Sequence, residues 1–399
     1  MKYISLLCDH NITQKPRSSR MLQLLDMIRQ EGAKLNLSVI AKACDKSAFE
    51  ALGIESRLLC FERDKSSKER TQQENELILQ YCQSGNFAPL IYTPNRKSIP
   101  HLLDSLPPQD VLIVEDITLL PFAREYKKNN PQCKILIDLR EFYPLEYEND
   151  EMWLQGLGRF FAYLCEQYLP CVDVAISVSE GLCERYKSDF GIACELFYSL
   201  PPFFDCKPKP TLEREIKILY HGFISPDRSS MELLNLAQSL LESPYKLYVM
   251  ALSNQKGFLE SFQSKASEIP SLELLPPVAL GEIIPVSVDY DIGLIPFKPT
   301  TFNLAHCMPN KLFEYLQARL AILSTPLQDM SHFLNTHKCG IITNGFESSD
   351  IFLALTRHTK DDIDRLKHNA HLVAQKWHLD MNLKILKNVL GDVLGIKIE

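Results

Sequence analysis

Short apolar runs rich in β-branched residues alternate with longer helical patterns along the chain. Such runs lie at residues 2–8, 111–115 and 134–138, and amphipathic segments such as Ser19–Gln30 lie between them. Strands that are covered on both faces appear as continuous apolar runs, and helices usually connect neighbouring parallel strands. The alternation therefore predicts an α/β protein with parallel sheets covered by helices. A further strand is expected at residues 89–92.

A proline-rich segment divides the chain into two parts. Ser199–Pro210 contains four prolines, which excludes a helix interior or a central strand there. The length of 399 residues also exceeds the roughly 250 to 300 residues at which single hydrophobic cores stop growing. We therefore expect Rossmann-like domains at residues 1–205 and 206–375. Residues 376–399 are expected to form a helix that returns to the first domain, with Trp377 packing there.

Composition excludes several classes of protein. The formal net charge of −7 excludes the basic surface that nucleic acid binding requires. The 12 cysteines have no Cys-x-x-Cys pair or zinc-type spacing, which favours reduced, buried thiols. No apolar stretch reaches about 18 residues, so no transmembrane segment is predicted. We expect a cytoplasmic protein. The stretch Arg63–Arg70 leaves peripheral contact with the inner face of the membrane open, although nearby acids nearly neutralise it.

The strand Lys217–Tyr220 leads into a loop that can hold an anion. This loop contains Gly222 and Arg228, and a helix is predicted to begin near Met231. In open α/β sheets, ligands bind at the carboxyl ends of strands, where loops lead into helix N-termini. Glycine permits close approach of the backbone, and an arginine near unpaired helical N–H groups can bind a phosphate. A plain loop with a solvated arginine is the alternative.

The segment Met308–Tyr315 is the stronger candidate for an anion site. Pro309 suits the first turn of a helix, and Asn310 and Lys311 follow at its positive end. The charge of Lys311 adds to the helix dipole and favours a diphosphate. The carboxylate of Glu314 can accept two hydrogen bonds from a ribose diol. An amphipathic helix with two solvated charges is the alternative.

Together with the loop around Gly222, the segment Met308–Tyr315 resembles the donor-binding half of the group 1, family 4 type, retaining glycosyltransferases. The resemblance implies the GT-B fold, in which two Rossmann-like α/β domains have parallel sheets that face across a cleft. It assigns the nucleotide ribose to Glu314 and the diphosphate to groups near Gly222, Arg228 and Lys311. The donor-binding residues that it implies are Gly222, Arg228, Pro309, Asn310, Lys311, Leu312 and Glu314.

The segment Ile135–Pro144 resembles the strand-end segment that this family places on the acceptor side of the cleft. The resemblance makes Asp138 or Glu141 the group that orients the acceptor hydroxyl. Arg140 and Arg17 are assigned to the same side. The catalytic residues that follow from the resemblance are Asp138, Glu141, Arg228 and Lys311.

The expected chemistry requires no metal and no cofactor, and the nucleotide sugar is the donor substrate. Cleavage of the bond to the anomeric carbon leaves negative charge on the diphosphate, which Arg228, Lys311 and two helix N-termini can stabilise. Asp289 and Asp291 are spaced as a metal-binding pair, but a turn at a strand edge is the favoured interpretation.

These features predict a hexosyltransferase-like enzyme. We expect it to move a sugar from a nucleotide sugar to a glycan or lipid-linked acceptor, with retention, in cell-surface polysaccharide or lipopolysaccharide synthesis. A nucleotide-sugar epimerase of the same fold is one alternative. A glycosyltransferase-like binding protein without activity is the other, because Phe223, Cys307 and Arg319 depart from the family pattern.

Overall fold

The structure, a computed structural model, describes residues 1–226, 230–393 and 395. The chain forms two compact units. The first unit consists of Met1–Tyr198, Thr301–Asn303 and the residues from Asn382 onward. The second consists of Ser199–Thr300 and Leu304–Met381.

The first unit contains a parallel sheet of seven strands in the order β3-β2-β1-β4-β5-β6-β7. The strands are β1 (Lys2–Cys8), β2 (Leu35–Lys42), β3 (Arg57–Phe61), β4 (Val111–Val114), β5 (Lys134–Leu139), β6 (Val174–Ser177) and β7 (Cys194–Leu196). The central strands are buried along their length, as their continuous apolar sequences predict. The strand order reverses between β1 and β4, and in open α/β sheets such a reversal marks where ligands bind.

Helices connect these strands. They are α1 (Pro16–Gln30), α2 (Lys46–Glu50), α3 (Gln72–Ser84), α4 (Ala88–Ile91), α5 (Ile99–Asp104), α6 (Leu120–Asn129), α7 (Glu151–Trp153), α8 (Arg159–Tyr168) and α9 (Glu180–Phe190). A π-helical turn, Leu154–Gly158, joins α7 to α8. Helix α1 illustrates why they form: Pro16 occupies its first turn, and Leu22, Leu25 and Ile28 are buried at helical spacing.

The prediction of a strand at residues 89–92 is wrong, because this segment forms the short helix α4. Pro89 stands in the first turn of the helix, where its missing N–H costs no hydrogen bond. The apolar run was too short to distinguish a strand from a buried helical turn. Only Ile91 of this helix is fully buried.

The second unit contains a parallel sheet of six strands in the order β10-β9-β8-β11-β12-β13. The strands are β8 (Ile216–Phe223), β9 (Tyr245–Leu252), β10 (Leu272–Leu274), β11 (Ile292–Ile295), β12 (Ala321–Ser324) and β13 (Gly340–Ile342). The order reverses between β8 and β11. The predicted α/β class with parallel sheets is therefore confirmed in both units.

The helices of the second half of the chain are α10 (Glu232–Ser239), α11 (Lys256–Ala266), α12 (Ile283–Ser287), α13 (Phe302–Ala305), α14 (Asn310–Gln317), α15 (Gln328–His337), α16 (Ser348–Thr356), α17 (Lys360–Ala374) and α18 (Leu379–Asn388). Short 3-10 turns lie at Ile12–Gln14, Arg96–Ser98, Ile117–Leu119, Tyr143–Leu145, Leu169–Cys171 and Leu280–Glu282. A second π-helical turn, Val389–Val393, follows α18.

Trp377 packs within the second unit, whereas the sequence had placed it against the first. Its ring stacks on Phe313 at 6.3 Å and meets the edges of Phe333 and His337 at 4.8 and 5.3 Å, all within the second unit. Trp377 lies in the break between α17 and α18, and within residues 376–399 the described helix is α18, which begins at Leu379 and is followed by the π-helical turn. Asn382, further along α18, belongs to the first unit and donates to the Tyr198 carbonyl at 2.8 Å within that unit.

Arg319 occupies a backbone conformation that favours glycine. It follows α14 with a φ of +66° and is fully buried. Its guanidinium donates to the carbonyls of Leu316, Gln317 and Phe204 at 3.2, 2.6 and 2.7 Å, and to His371 at 3.0 Å. The bond to Gln317 satisfies a carbonyl at the end of α14 that has no partner within the helix. The departure at Arg319 therefore has a structural explanation.

Substitution of Arg319 tests this explanation. We expect Arg319→Ala to lower the free energy of unfolding by about 3 kcal/mol, because buried carbonyls lose their donors while the backbone strain remains. Arg319→Gly loses the same donors but relieves the strain, so it should be about 1 kcal/mol more stable than the alanine variant. Denaturant titration measures both. Equal stability of Arg319→Ala and the unchanged chain would contradict the explanation.

Candidate functional site

The strongest candidate site lies in the second unit, where β8 and β11 end and the strand order reverses. Gly222, near the end of β8, has a φ of +124°, a conformation that L side chains rarely adopt. A Cβ atom at this position would lie 3.3 Å from Lys311 Nζ. Glycine is therefore needed for the backbone conformation, and it lets the lysine head approach the strand closely.

The ammonium group of Lys311 lies between two aromatic rings. Nζ is 4.0 Å from the centre of the Tyr220 ring on β8 and 5.0 Å from that of Phe297, which follows β11. Lys311 is buried, although it stands in the first turn of α14. Cation–π attraction compensates part of the cost of removing this charge from water. The sequence placed Lys311 at a helix start, but it gave no sign of the two rings.

Glu314 and His221 lie side by side next to this lysine. Glu314 is 4% exposed, and its Oε2 atom is 3.5 Å from His221 Nε2 without a hydrogen bond between them. Burial and the Lys311 ammonium lower the pKa of His221 to about 3. The imidazole is therefore neutral at pH 7. His221 was missed as a site residue, because the sequence does not reveal its burial.

Tyr315 fixes α14 against the sheet. Its hydroxyl donates to the Leu219 carbonyl at 3.1 Å and accepts from the His221 backbone N–H at 3.2 Å. A Cβ atom at Gly293 on β11 would come within 2.3 Å of the Tyr315 ring, so only glycine leaves room for it. These contacts hold the first turn of α14, including Lys311 and Glu314, beside the end of β8.

The other predicted donor-binding residues lie near or outside this arrangement. Pro309 is extended and directly precedes α14, and Asn310 is the first residue of the helix. Leu312 is fully buried and anchors the helix. Arg228 lies outside the described residues. The structure thus brings together Gly222, Lys311 and Glu314.

In the first unit, Asp138 and Arg17 form a buried bidentate ion pair. The Nε and NH2 groups of Arg17 donate to the two carboxylate oxygens of Asp138, both at 2.6 Å. Arg17 also donates to the Phe197 carbonyl at 2.7 Å, and Arg140 donates to Asp138 at 3.0 Å. Asp138 is fully buried. Its contacts make it a residue that positions Arg17 and Arg140 at the carboxyl end of β5.

Arg140 extends this network to Glu115, which follows β4. The guanidinium lies 3.1 Å from Glu115 Oε2, and the Cys8 thiol donates to the same oxygen at 3.0 Å. Burial by itself would raise the pKa of Glu115, but Arg140, His10 and Ser18 outweigh it and lower the pKa to about 2. Sequence reasoning missed Glu115 and His10, since single polar residues after apolar strands are common.

Cys8, His10 and Glu115 also bring three potential metal ligands within 4.8 Å of one another. A divalent cation there would be repelled by the Arg140 guanidinium, which already neutralises the carboxylate. We therefore assign this cluster to the hydrogen-bond network of the first unit.

Two further carboxylates follow Asp138. Glu141, the second predicted acceptor-side residue, is exposed, and its carbonyl accepts from the Tyr186 hydroxyl at 2.7 Å. Burial and the Asp116 carboxylate raise the pKa of Glu146 to about 7. Glu146 can therefore hold or release a proton near neutral pH, a property that its sequence position does not indicate.

Asp289 and Asp291, the spaced aspartates of the sequence, each have a lysine partner. Asp291 accepts from the buried Lys367 ammonium at 2.7 Å and from the Lys217 backbone N–H at 2.9 Å. Asp289 pairs with Lys209. The interpretation of this pair as a turn and strand edge agrees with these contacts.

Among the residues that the structure describes, no helix is both long and apolar enough to cross a membrane.

Comparison with known proteins finds similarity in structure. No family model matches the sequence, and no curated protein matches it. HepE from Anabaena, solved in complex with UDP, is 12% identical with a TM-score of 0.69, covering 98% of this chain and 100% of that chain. A glycosyltransferase from Rickettsia africae is 11% identical with a TM-score of 0.68, covering 99% and 100%. The lipopolysaccharide outer core galactosyltransferase WaaB is 11% identical with a TM-score of 0.63, covering 98% and 99%.

At these identities the similarity establishes the fold. The chain has the GT-B fold, with two Rossmann-like α/β units, as the resemblance implied.

The low pKa of His221 makes stability depend on pH. The unfolded chain binds a proton at this histidine below about pH 6.5, whereas the folded chain excludes it down to about pH 3. The contribution of His221 to the free energy of unfolding is therefore complete above pH 6.5 and is lost as the pH falls. We expect a loss of about 2 kcal/mol between pH 7 and 5 from this group. Denaturant titration of the His221→Asn variant should show a fall in the free energy of unfolding between pH 7 and 5 that is smaller than in the unchanged chain by about this amount. An identical pH profile in both chains would contradict the buried, neutral ring.

Proposed function

We propose that this chain is a retaining glycosyltransferase of the family 4 type that moves a sugar from a nucleotide sugar to a glycan or lipid-linked acceptor. We further propose that it is hexosyltransferase-like, needs no metal or other cofactor, and acts in the cytoplasm or at the inner face of the membrane. Cell-surface polysaccharide or lipopolysaccharide synthesis is the proposed setting. The observation that carries the proposal is the approach of the Lys311 ammonium to Gly222, with Glu314 one helical turn further on.

This arrangement suits a nucleoside diphosphate. A diphosphate at the end of β8 would meet the Lys311 ammonium and the backbone at Gly222, where no side chain intervenes. The positive end of the α14 dipole adds to the same field. Glu314 lies one turn along the helix, where a carboxylate can accept hydrogen bonds from both hydroxyls of a ribose. One helix thus supplies both donor contacts.

The proposed reaction places charge where these groups lie. The bond between the anomeric carbon and the diphosphate oxygen breaks, and its electron pair stays on the diphosphate. The acceptor hydroxyl oxygen bonds to the anomeric carbon, and its proton passes to the diphosphate oxygen that leaves. Lys311 stabilises the charge as it develops on the leaving group, which lowers the barrier more than it stabilises the bound donor. We assign Arg228 to the same task and Glu141 to the acceptor hydroxyl.

The solved structures support the choice of donor. HepE has been solved with UDP and also with UDP-glucose, and WaaB is named as a galactosyltransferase. In the first unit, we propose that an acceptor binds at the carboxyl edge of the sheet, the edge at which the Asp138 ion pairs also hold Arg17 and Arg140.

Calorimetric titration with UDP tests the donor site. We expect Lys311→Ala and Glu314→Ala each to weaken UDP binding about 10- to 100-fold, because each removes a charge-assisted contact. Lys246 and Glu273 form a matched lysine–glutamate pair at 2.8 Å elsewhere on the same sheet. Lys246→Ala and Glu273→Ala should therefore leave the affinity for UDP unchanged. Unchanged affinity in both Lys311→Ala and Glu314→Ala would contradict the proposal.

Incubation with a UDP-sugar and no acceptor separates transfer from epimerisation. A transferase should give only slow hydrolysis of the UDP-sugar, because water must replace the acceptor. An epimerised nucleotide sugar would contradict transfer as the function.

A further inference from the structure

The first unit contains a cavity of about 940 Å³ at the carboxyl ends of β1, β2 and β4. It opens where the strand order of this sheet reverses, between β1 and β4. Its volume is at the upper end of the roughly 300 to 1,000 Å³ that small-molecule sites occupy. The two sides of the cavity differ in chemistry, and this difference indicates what it binds.

The floor of the cavity carries both hydrogen-bond donors and acceptors. Asp9 accepts from the Lys42 ammonium at 3.0 Å and from the Arg96 guanidinium at 2.9 Å. Asp116 and Thr118 complete this floor, and burial and the Asp9 carboxylate raise the pKa of Asp116. Each sugar hydroxyl both donates and accepts a hydrogen bond. A floor of this mixed character suits a hydroxylated head better than a simple anion.

Arg96 contributes a buried donor that lacks an acceptor. Its side chain is 10% exposed, and its Nε atom has no hydrogen-bond partner among the described residues. The carboxylate of Asp64 lies 3.8 Å from Nε, which is too far for a hydrogen bond. An unpaired buried donor costs about 1 to 3 kcal/mol. An oxygen of a bound ligand in this cavity would supply the missing acceptor.

One wall of the cavity is largely apolar, whereas the rim before it carries charges that are mostly paired, such as Lys65 with Glu74 and Arg63 with Glu69. Helix α3 contributes Leu77, Ile78 and Tyr81, and α8 contributes Phe160 and Phe161. Leu77 is 45% exposed, so hydrophobic surface on this wall remains in contact with water. A hydrocarbon chain along this wall would remove that surface from water.

From this combination we infer that the cavity binds the acceptor, and that the acceptor is an amphiphile with a hydroxylated head on the floor and a hydrocarbon chain along the apolar wall. This inference rests on the proposed transferase function. Of the two acceptor classes that the sequence left open, it selects the lipid-linked one. A glycan without a hydrocarbon portion would leave the α3 side of the wall uncovered.

Methyl, hexyl and octyl β-glucoside, each below its micelle concentration, test the inference. Binding is followed by the fluorescence of Trp153, whose ring stacks on Phe161 at 5.9 Å. The measurement uses the Trp377→Phe chain, because Trp377 is the second of two tryptophans. We expect affinity to rise about two- to fourfold for each added methylene that is buried. Equal affinity for the three glucosides would overturn the inference.

Variants of the cavity test whether the glucosides bind in it. Leu77→Ser should weaken octyl glucoside at least threefold and leave methyl glucoside unchanged. Leu353→Ser is the matched control, because Leu353 is also 45% exposed but belongs to the second unit. Arg96→Lys removes the Nε donor and keeps the charge, so it should weaken both glucosides by the same factor. Equal effects of Leu77→Ser and Leu353→Ser on octyl glucoside would contradict binding in this cavity.

Titration of the same variants with UDP distinguishes a failure of the proposed acceptor class from a failure of the proposed transferase function. If UDP binds normally but the affinity for the glucosides does not depend on the length of their alkyl chain, only the proposed acceptor class is overturned. Chains that bind octyl glucoside as expected but fail to bind UDP contradict the donor site.

Discussion

Helix α14 is buried on every side, and the second unit is organised around it. Residues 311–320 are all buried, including four polar ones, and buried polar groups require partners. At the far end, Gln317 donates to the carbonyls of Ala374 and Trp377, and Arg319 donates to that of Phe204. At the near end, Lys311 lies between aromatic rings beside Gly222. The bonds at the far end hold the helix so that its first turn presents charge to the end of β8.

In the first unit, buried charges are stabilised by ion pairs with opposite charges. Arg17 and Arg140 are balanced by Asp138 and Glu115, and all four meet at the ends of β4 and β5. Breaking one partner of such a network leaves an uncompensated charge, which costs several kcal/mol. The network therefore fixes the shape of the strand ends. In the second unit, the charged residues of α14 lie where the strand order reverses, as expected for open α/β sheets.

The sequence predicted much of the fold because central parallel strands are apolar throughout. Strands β3, β7, β12 and β13 were not predicted. Three of them are short edge strands that are only partly buried, and β12 is a buried run of four residues that follows closely after helix α14. The placement of Gly222 and Lys311 around one diphosphate followed from the resemblance to the glycosyltransferase family. The rings around Lys311 and the buried state of His221 did not, because burial depends on residues distant in sequence. The structural role of Arg319 could not be predicted either, because its partners His371 and Phe204 are distant from it in sequence.

Hydrogen exchange of the whole chain with and without UDP tests the central claim, which is that the first turn of α14 and the end of β8 bind the nucleotide. The account predicts slower exchange in peptides covering residues 219–224 and 308–316, because bound phosphate accepts from backbone N–H groups and holds the turn closed. Peptides from β2 and β3 should exchange at unchanged rates. Protection confined to other peptides, or none at saturating UDP, would contradict the account.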